Sequence, residues 1–510
     1  MQRLLACMAM LCAATLPGAA RANSSQPADA AARVPQSGAQ LPQTGTAPHT
    51  LPPLFDLIEE KTFRYFWDTA NPENGLVPDR YPTPSFSSIA AVGFALTAYP
   101  IGVERGYVTR EAARERVLRT LRFFAAAPQG PDPAGMSGHN GFFYHFLDMK
   151  TGQRYGTTEL STVDTALLLS GMLFCQTYFD RSDDDEVEIR RLVEGIYGRV
   201  DWQWAQAHGP AISYGWTPEE SFMRREWRGY NEAMLVYILA LGSPTHAVAP
   251  IAWEEWGRDY PKFFGTIYGQ TFLTFTPLFG HQYSHVWIDF RAILDEPMRN
   301  AGYDYFENSR RATYAQRAYA IANPMRWAAY GENVWGLTAS DGAADVELEY
   351  GGEKRRYRTY APRGVGIEYT LDDGTIAPTA AIASIAFAPE IVIPAVEEMY
   401  RRYGAHIFGK YGFYDAFNPS FDYDVPLRHG RTIAGVGWVD NDWLGIDQGP
   451  ILAMIENYRT GLVWRTMKSN PHMRAGLVQA GFKGGWLAGQ PAPRPAPKEA
   501  SATLDRSAGR

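Results

Sequence analysis

The feature that most constrains the fold is an alternation between two kinds of helical pattern across residues 54–486. Amphipathic, charged helices are predicted at 55–69, 110–126, 184–207, 251–260, 307–321 and 390–403. Between them, apolar helices rich in small residues are predicted at 88–99, 161–179, 231–241, 285–294, 379–388 and 450–458. Twelve helices of alternating solvated and buried character predict an all-α fold, an (α/α)6 toroid in which an outer ring of helices wraps an inner ring. Strand patterns are few: 142–148, and a hairpin over 346–359 that turns at Gly351-Gly352.

The predicted packing brings one end of every inner helix together. Because consecutive helices are antiparallel, all inner helices run the same way and their N-termini gather at one mouth. The segments that lead into them are 86–88, 159–164, 227–232, 281–289, 372–374 and 438–447. Carboxylates, histidines and tryptophans recur in these segments, so we expect the functional site at this mouth.

The ends of the chain differ in composition from its middle. Residues 1–22 have the pattern of a cleavable signal peptide, with Arg3, an apolar run and a small-x-small cleavage site. Residues 23–53 and 487–510 are rich in Ala and Pro without periodicity, and are predicted to be a disordered linker and a disordered tail. Residues 54–486 contain no comparable linker and are predicted to form one domain. We expect a periplasmic or secreted protein without a membrane span.

Composition and missing motifs exclude several functions. The net charge of −7 and the lack of a basic cluster argue against nucleic acid and anionic membranes as partners. Cys7 and Cys12 fall in the signal peptide, and Cys175 alone cannot form an internal disulfide. No phosphate-cradling glycine loop, nucleophile elbow or dinucleotide fingerprint occurs. We expect no cofactor, no metal and a monomer.

The stretch 213–232 combines aromatic rings with carboxylates. Trp216, Trp227 and Tyr230 supply flat faces that stack on sugar rings, and paired acids move protons when a sugar–sugar bond is cleaved. The run Thr217-Pro218-Glu219-Glu220 also has the pattern of a capped helix start, which gives its two acids a structural interpretation. Glu232 is the strongest catalytic candidate, because it opens the apolar run 233–241, where an unpaired carboxylate is costly unless it has a use.

Further carboxylates lead into other inner helices. Glu159 precedes the candidate cap Ser161 and has no capping role of its own, so structure and catalysis are equally good interpretations. Asp164 stands where a capping-box acid would, and Asp447 could cap the last inner helix, but both are also candidates for the site. Asp373 is a candidate sugar ligand.

Other residues at this mouth are candidates for sugar subsites. Trp287, Trp438 and Trp443 are possible platforms. His281 and His285 are four residues apart without a third ligand at helical spacing, so sugar contacts or satisfied core histidines fit them better than a metal pair. Arg310 fits an ion-paired helix face, with a clamp on sugar hydroxyls as the second interpretation.

Several longer motifs resemble the bacterial glucoamylase-like domain family. They are ELSTVDTA at 159–166, WRGYNEAM at 227–234, LALGSPTH at 239–246, FGHQYSH at 279–285, YFENSR at 305–310, DDGTIAP at 372–378 and GIDQGP at 445–450. The similarity covers about residues 54–482. It implies an (α/α)6 toroid and an activity like that of glycoside hydrolase family 144, whose members resemble β-1,2-glucan hydrolases. A related domain in cyclic β-1,2-glucan synthases is a transglycosylase.

The same resemblance places Glu232 at the position of the family's general acid. The transglycosylase relatives carry a nucleophilic Glu shortly after a Trp-Gly pair, here Trp335-Gly336, and Ala339 occupies the expected position. This implies that a retaining nucleophile is absent and favours inversion through an activated water. An alignment shifted by two residues would instead make Asp341 the equivalent.

The leading hypothesis is an exported glycoside hydrolase that cleaves a β-glucan, by resemblance a β-1,2-glucan, with inversion. Glu232 would donate the proton, and Glu159 or Asp447 would activate or position water. One alternative is a polysaccharide lyase that uses Tyr283, His285 and Arg291, which the acidic mouth disfavours. The others are a non-catalytic glycan-binding protein and a glucan transglycosylase.

Overall fold

A computed structural model describes residues 49–489 and is 44% helical. Its α-helices, in chain order, are α1 Pro53–Thr69, α2 Ile89–Glu104, α3 Arg110–Ala126, α4 Thr162–Tyr178, α5 Asp184–Gly198, α6 Met234–Gly242, α7 Ile251–Gly257, α8 Tyr260–Phe263, α9 Tyr283–Trp287, α10 Glu296–Ala301, α11 Tyr305–Ala322, α12 Pro378–Ile382, α13 Pro389–Ile407, α14 Gly445–Arg459, α15 Leu462–Met467 and α16 Pro471–Gln479. Two 3-10 helices span Leu278–His281 and Gly485–Leu487.

Short antiparallel strands are more numerous than the sequence predicts. The pairs are Arg80–Tyr81 with Trp443–Leu444, Ser87–Ser88 with Phe146–Leu147, Gly138–His139 with Phe142–Phe143, Phe264–Ile267 with Gln270–Leu273, Ala339–Asp341 with Tyr360–Pro362, Val346–Tyr350 with Glu353–Tyr357, Gly364–Val365 with Thr370–Leu371, and Phe408–Gly409 with Gly412–Phe413. Two sheets have three strands: Leu160–Ser161, Gly215–Thr217 and Ser221–Phe222, and Phe417–Asn418, Gly437–Val439 and Arg431–Ile433. The predicted hairpin that turns at Gly351-Gly352 is confirmed.

The predicted alternation of buried and solvated helices is confirmed by burial. In α2 every residue from Ile89 to Gly102 is buried, and α6 is buried throughout its length. In contrast, α3 and α5 each bury a single face and carry their charged residues outward. Ser88 and Ser161 cap α2 and α4, since each side chain accepts a hydrogen bond from the backbone N–H three residues later.

Three predicted helices are shorter in the structure by five residues or more. The predicted helix 285–294 ends at Trp287, because the Asp289 side chain accepts the Arg291 N–H at 3.2 Å and offers the backbone a turn instead. The predicted helix 379–388 is reduced to α12, and the chain continues in tight turns, in which Ser384 donates its backbone N–H to the Ala381 carbonyl at 3.0 Å and Ile385 to that of Ile382 at 3.0 Å. The predicted helix 184–207 ends at Gly198.

The interpretation of residues 217–220 as a helix start is wrong. These residues connect the strands Gly215–Thr217 and Ser221–Phe222 of a hairpin. Thr217 Oγ1 does accept the Glu220 N–H at 3.0 Å, as a cap would, but the chain turns back at Ser221, whose φ is 65°. Local capping chemistry therefore closes a turn here instead of opening a helix.

Residues 1–48 and 490–510, which include the predicted signal peptide and most of the predicted linker and tail, lie outside the described residues. The described end of the linker differs from the prediction. The His49 ring stacks on Tyr458 at 4.7 Å, Leu51 is buried, and α1 already begins at Pro53. Leu487, assigned to the tail, is also buried.

Short strands lead directly into three of the buried helices. Ser87–Ser88 precedes α2, Leu160–Ser161 precedes α4, and Trp443–Leu444 precedes α14. Because backbone pairing holds each strand, the N-terminus of the following helix is fixed in position. Within residues 49–489, no helix combines the length and the apolar character needed to cross a membrane.

Candidate active site

A cavity opens to solvent where several buried helices begin, and its empty space, open solvent included, is about 880 Å³. Its lining comes from the starts of α4, α6, α9 and α14, which are four of the six segments that the sequence places at one mouth. The residues that line it are His145, Glu159, Ser161, Val163, Asp164, Leu167, Tyr214, Trp227, Glu232, Phe279, Tyr283, Ala339, Tyr360, Leu444, Ile446 and Asp447. The predicted residues Glu159, Asp164, Trp227, Glu232 and Asp447 therefore meet in one space.

Glu232 is a buried carboxyl that forms no ion pair with any residue of 49–489. It lies two residues before α6, in a turn that Asn231 closes by accepting the Ala233 N–H at 2.9 Å. The residue is 8% exposed, and its Oε2 has no hydrogen-bond partner among the described residues. Burial, with a smaller effect from the Asp164 charge, raises the pKa of Glu232 to about 7. A carboxyl that stays protonated near neutral pH can act as a general acid.

Glu159 and Asp164 share a histidine that the sequence analysis missed. His145 Nδ1 is 2.8 Å from Glu159 Oε1, and His145 Nε2 is 3.5 Å from Asp164 Oδ2. Burial lowers the pKa of His145, but the two carboxylates outweigh it and raise the pKa to about 9. Burial raises the pKa of Glu159, but the His145 charge and hydrogen bond outweigh it, so that the net shift is downward. Glu159 is therefore held ionised.

Asp164 is bound to the cap residue Ser161, but not as a capping-box acid, which would accept the Ser161 backbone N–H. Ser161 Oγ donates to Asp164 Oδ2 at 2.5 Å and accepts the Asp164 N–H at 3.2 Å. Burial raises the pKa of Asp164 in spite of these contacts. Asp164 therefore supports the cap through the Ser161 hydroxyl and also lines the cavity.

Asp447 lies in the first turn of α14 and is 5% exposed. It does not cap the helix, since no side chain does so at that N-terminus. Its Oδ2 has no donor among the described residues. Burial and the neighbouring carboxyl of Asp415 raise the pKa of Asp447 well above its ordinary value.

Behind Asp447 lies a group of acids around one arginine. The side chains of Asp341, Asp415 and Asp440 place oxygen atoms within 4.8 Å of one another, and no other trio of ligand-type side chains in residues 49–489 does so. The positive charge here is Arg80, whose Nη1 lies 2.7 Å from Asp341 Oδ2 and 3.4 Å from Asp442 Oδ2. The group therefore contains more acidic side chains than the single charge of Arg80 can neutralise.

The aromatic part of the cavity is built around Trp227. Its ring stacks on Tyr214 with centroids 3.8 Å apart and an interplanar angle of 15°. Its Nε1 donates to Thr162 Oγ1 at 3.0 Å, which fixes the ring at the start of α4. Tyr283 and Tyr360 line the same space. Such a wall suits the apolar face and the hydroxyl edge of a sugar.

Four predicted residues lie close to this region but do not line the cavity. Trp216 packs against Trp204, and Tyr230 stacks on Tyr305 with centroids 5.8 Å apart. His281 contacts the Phe275 carbonyl and His285 contacts Ser309 Oγ at 3.1 Å. Burial lowers the pKa of both histidines to about 3, which keeps them neutral. Each ring has one bonded nitrogen, and its buried Nδ1 has no partner among the described residues. They are therefore core histidines that are only half satisfied, and their prediction as sugar ligands does not fit this geometry.

The remaining predicted residues belong to the structural framework. Their contacts are Trp287 Nε1 to Thr97 Oγ1 at 3.0 Å, Trp438 Nε1 to the His429 carbonyl at 2.9 Å, Trp443 Nε1 to the Gly412 carbonyl at 3.0 Å, Arg310 to Glu390 at 2.6 Å, and Asp373 to Arg363 at 2.6 Å. Trp287 and Trp438 are completely enclosed, so the prediction that they form sugar platforms is wrong. Asp373 forms a buried ion pair, and Arg310 forms the ion-paired face that was its first interpretation.

The geometry also bears on the lyase alternative. Arg291 pairs with Asp289 at 2.7 and 2.8 Å, and His285 is neutral in the core. Only Tyr283 of the three proposed lyase residues lines the cavity. The residues that β-elimination would need are therefore not assembled.

Comparisons with known proteins find a matching family model and a related protein. The model of the Glycoamylase family, described as “Putative glucoamylase”, matches residues 224–471. The chain is 30% identical over 464 residues to an exo β-1,2-glucooligosaccharide sophorohydrolase (non-reducing end) of Parabacteroides distasonis, and the match covers 85% of this chain. It spans 58% of that longer relative.

Two solved structures match over nearly their whole length. An endo-β-1,2-glucanase from Chitinophaga pinensis, in complex with sophorotriose and glucose, is 30% identical with a TM-score of 0.72, and the match covers 85% of this chain and 99% of that one. A “putative glucoamylase” from Bacteroides fragilis NCTC 9343 is 31% identical with a TM-score of 0.73, and the match covers 87% and 100% of the two chains.

Proposed function

The chain belongs to the glycoamylase family, and from that premise we propose that it is a glycoside hydrolase that cleaves β-1,2-glucan or its oligosaccharides. The names of its relatives support the linkage. The observation that carries the chemistry is Glu232, a carboxyl with a pKa of about 7 in a cavity that also contains Glu159 and Asp447. Hydrolysis of a glycosidic bond needs one protonated and one ionised acid, and this cavity offers both.

In the proposed mechanism Glu232 is the general acid. Its proton passes to the glycosidic oxygen as the bond to the anomeric carbon breaks, which spares the leaving sugar an alkoxide charge. Asp447 is the proposed general base, because its buried carboxyl lacks a donor and its raised pKa makes it the stronger acceptor for a proton of water. Glu159, held ionised by His145, is better suited to accept hydrogen bonds from sugar hydroxyls.

We propose that the reaction inverts the anomeric carbon. Ala339 lines the cavity at the position where the transglycosylase relatives are expected to carry their nucleophile, and an alanine cannot form a covalent intermediate. Asp341, the alternative nucleophile, does not line the cavity, and its carboxylate is bound to Arg80 at 2.7 Å. This arrangement favours attack by water.

We also propose that the helices form an (α/α)6 toroid. Its support is the order of contacts: α1 packs on α2, α2 on α4, α4 on α6, and α14 on α1 and α2, so the last long helix meets the first. Of the buried helices of this series, α4, α6 and α14 contribute their N-termini to the cavity.

The function is tested by incubating the protein with a panel of linkage-defined glucans and measuring new reducing ends. We expect release from β-1,2-glucan and little from β-1,3-, β-1,4- or α-linked polymers. Binding of β-1,2-glucan without new reducing ends over a long incubation would support a non-catalytic protein, and an ultraviolet-absorbing unsaturated product would support a lyase.

The stereochemistry is tested by proton NMR of the first product. We expect the α-anomer to appear before mutarotation, because water attacks the face opposite the β-linked leaving group. If the β-anomer appears first, or if sugars pass efficiently to acceptors, the inverting assignment fails and Asp341 becomes the first nucleophile to test.

A further inference from the structure

Asp447 has a second carboxyl directly behind it. Asp415 precedes the strand Phe417–Asn418, is 1% exposed and does not line the cavity. Its side chain lies within hydrogen-bonding distance of the Asp447 side chain. Its Oδ2 accepts the Asp341 N–H at 2.7 Å, which fixes the orientation of the carboxyl.

Each of the two carboxyls has one oxygen that no hydrogen-bond donor within residues 49–489 reaches. Asp447 Oδ2 and Asp415 Oδ1 are both buried, and neither has a hydrogen-bond donor among the described residues. An ionised carboxylate can only accept hydrogen bonds, so two ionised carboxylates at this distance would repel each other. One proton between them converts this repulsion into a short, charge-assisted hydrogen bond.

Within residues 49–489, the two positive charges that act on the pair, Arg80 and Arg363, are both bound to other carboxylates. The guanidinium of Arg80 is bound to Asp341 and Asp442, at 2.7 and 3.4 Å. Arg363 is bound to Asp373. The other titratable groups that act on the pair are acids or tyrosines, namely Asp79, Asp341, Asp440, Tyr65, Tyr283 and Tyr360. Burial and the Asp341 charge raise the pKa of Asp415 to about 7, in the same direction as the geometry.

We propose that Asp415 is a positioning residue that shares a single proton with Asp447, so that the base of the reaction is a carboxyl pair with one negative charge. The inference rests on the proposed hydrolase function and deepens it. When water attacks the anomeric carbon, its proton passes to the pair, which becomes neutral, and Glu232 gives up its own proton and becomes negative. The charge of the site is unchanged by the step. Exchange of one proton from the pair to Glu232 through solvent restores the starting state.

The shared proton is tested first without substrate, by infrared spectroscopy of carboxylic acid groups near neutral pH. The measurements use the Glu232→Gln background, so that the acid's own band does not interfere. We expect Asp415→Asn and Asp447→Asn each to remove the same single carboxylic acid band, because the amide donates the hydrogen bond and the remaining carboxyl ionises. If neither variant removes a band, or if the band lost in one variant survives in the other, the proton is not shared.

The second test uses the pH dependence of turnover. Asp415→Asn keeps a neutral donor beside Asp447, so we expect turnover to fall but the acid limb to stay within about half a pH unit of the wild-type position. Asp415→Ala removes the donor, and the acid limb should move upward by about one unit or more. If Asp415 is instead ionised, Asp415→Asn removes a negative neighbour and moves the acid limb downward by about one unit or more, which overturns the proposal.

The two tests separate the fate of this proposal from that of the function. An infrared band that behaves as expected in a protein without hydrolase activity would uphold the shared proton and reject the proposed function. An active hydrolase whose band is insensitive to both substitutions would uphold the proposed function and reject the shared proton. Circular dichroism of each variant verifies the fold, and Asp447→Asn alone decides the infrared result if Asp415→Asn does not fold.

Discussion

At the scale of single residues, the burial of Glu232 suits its proposed role as an acid but lowers the stability of the folded state at neutral pH. Its carboxyl is buried, has no cationic partner, and has a pKa raised from 4.5 to about 7. The folded state therefore binds this proton more tightly than the unfolded state does. As a result, the folded state loses relative stability as pH rises from about 4.5 to about 7, where only the unfolded carboxyl ionises freely.

This argument predicts the pH dependence of stability for Glu232→Gln. The amide cannot ionise, so the variant should match wild type below about pH 4.5 and be more stable by about 1–3 kcal/mol near pH 8. Denaturant unfolding at the two pH values measures the difference. A variant that is no more stable than wild type near pH 8 would show that the wild-type carboxyl ionises without cost.

Burial alone does not decide the role of a carboxyl. Glu159 and Glu232 are both 8% exposed, yet the pKa of Glu159 is lowered and that of Glu232 is raised. The difference is His145, which strand pairing brings beside Glu159 through the His145 N–H bond to the Glu159 carbonyl at 2.9 Å. The sequence could place both acids at the mouth from their position before helices. It could not show which acid has a cation, because that depends on pairing between distant segments.

At the scale of elements, α2 and α4 approach each other through glycines. A Cβ atom added to Gly171 would lie 2.0 Å from the carbonyl oxygen of Gly93, and one added to Gly93 would lie 2.3 Å from that of Leu167. Such distances are possible only for residues without a side chain, so the two buried helices pack backbone to backbone. The starts of α2 and α4 owe their spacing to this contact.

We therefore expect Gly171→Ala to lower the free energy of unfolding by about 2 kcal/mol or more, because the backbones must move apart. Gly195 is the matched control: it lies in α5, is exposed, and has no atom within 4 Å of an added Cβ. Gly195→Ala should raise stability by up to about 1 kcal/mol through helix propensity. Equal effects of the two substitutions in thermal or denaturant unfolding would contradict the backbone contact.

The helices were predictable to different degrees. The long ones have strong periodicity and clear caps, and α3 has the predicted bounds of 110 and 126. The short inner helices α9 and α12 were overestimated, because an apolar run cannot distinguish a helix from buried turns. Asp289, whose side chain closes the turn after α9, is visible in the sequence, but its effect depends on the local backbone.

At the scale of the whole molecule, the start of the described chain meets its last long helix, α14. α1 packs on α14, and His49 donates its backbone N–H to the Arg459 carbonyl at 2.9 Å. The sequence predicted one domain from the absence of an internal linker, and placed its beginning a few residues late because residues 49–52 carry no periodic pattern. The resemblance to a family, more than composition, pointed to the substrate, since no residue pattern shows a glucan linkage.

The central claim is that this cavity cleaves β-1,2-glucan with Glu232 as the proton donor, and turnover of Glu232→Gln tests it most directly. The amide keeps the shape of the side chain but cannot give up the proton, so we expect turnover of β-1,2-glucan to fall by about 10²–10⁴-fold. Calorimetric binding of β-1,2-glucooligosaccharides should remain close to that of wild type. A variant that keeps more than about a third of wild-type turnover would contradict the claim, because general acid catalysis is worth far more than that.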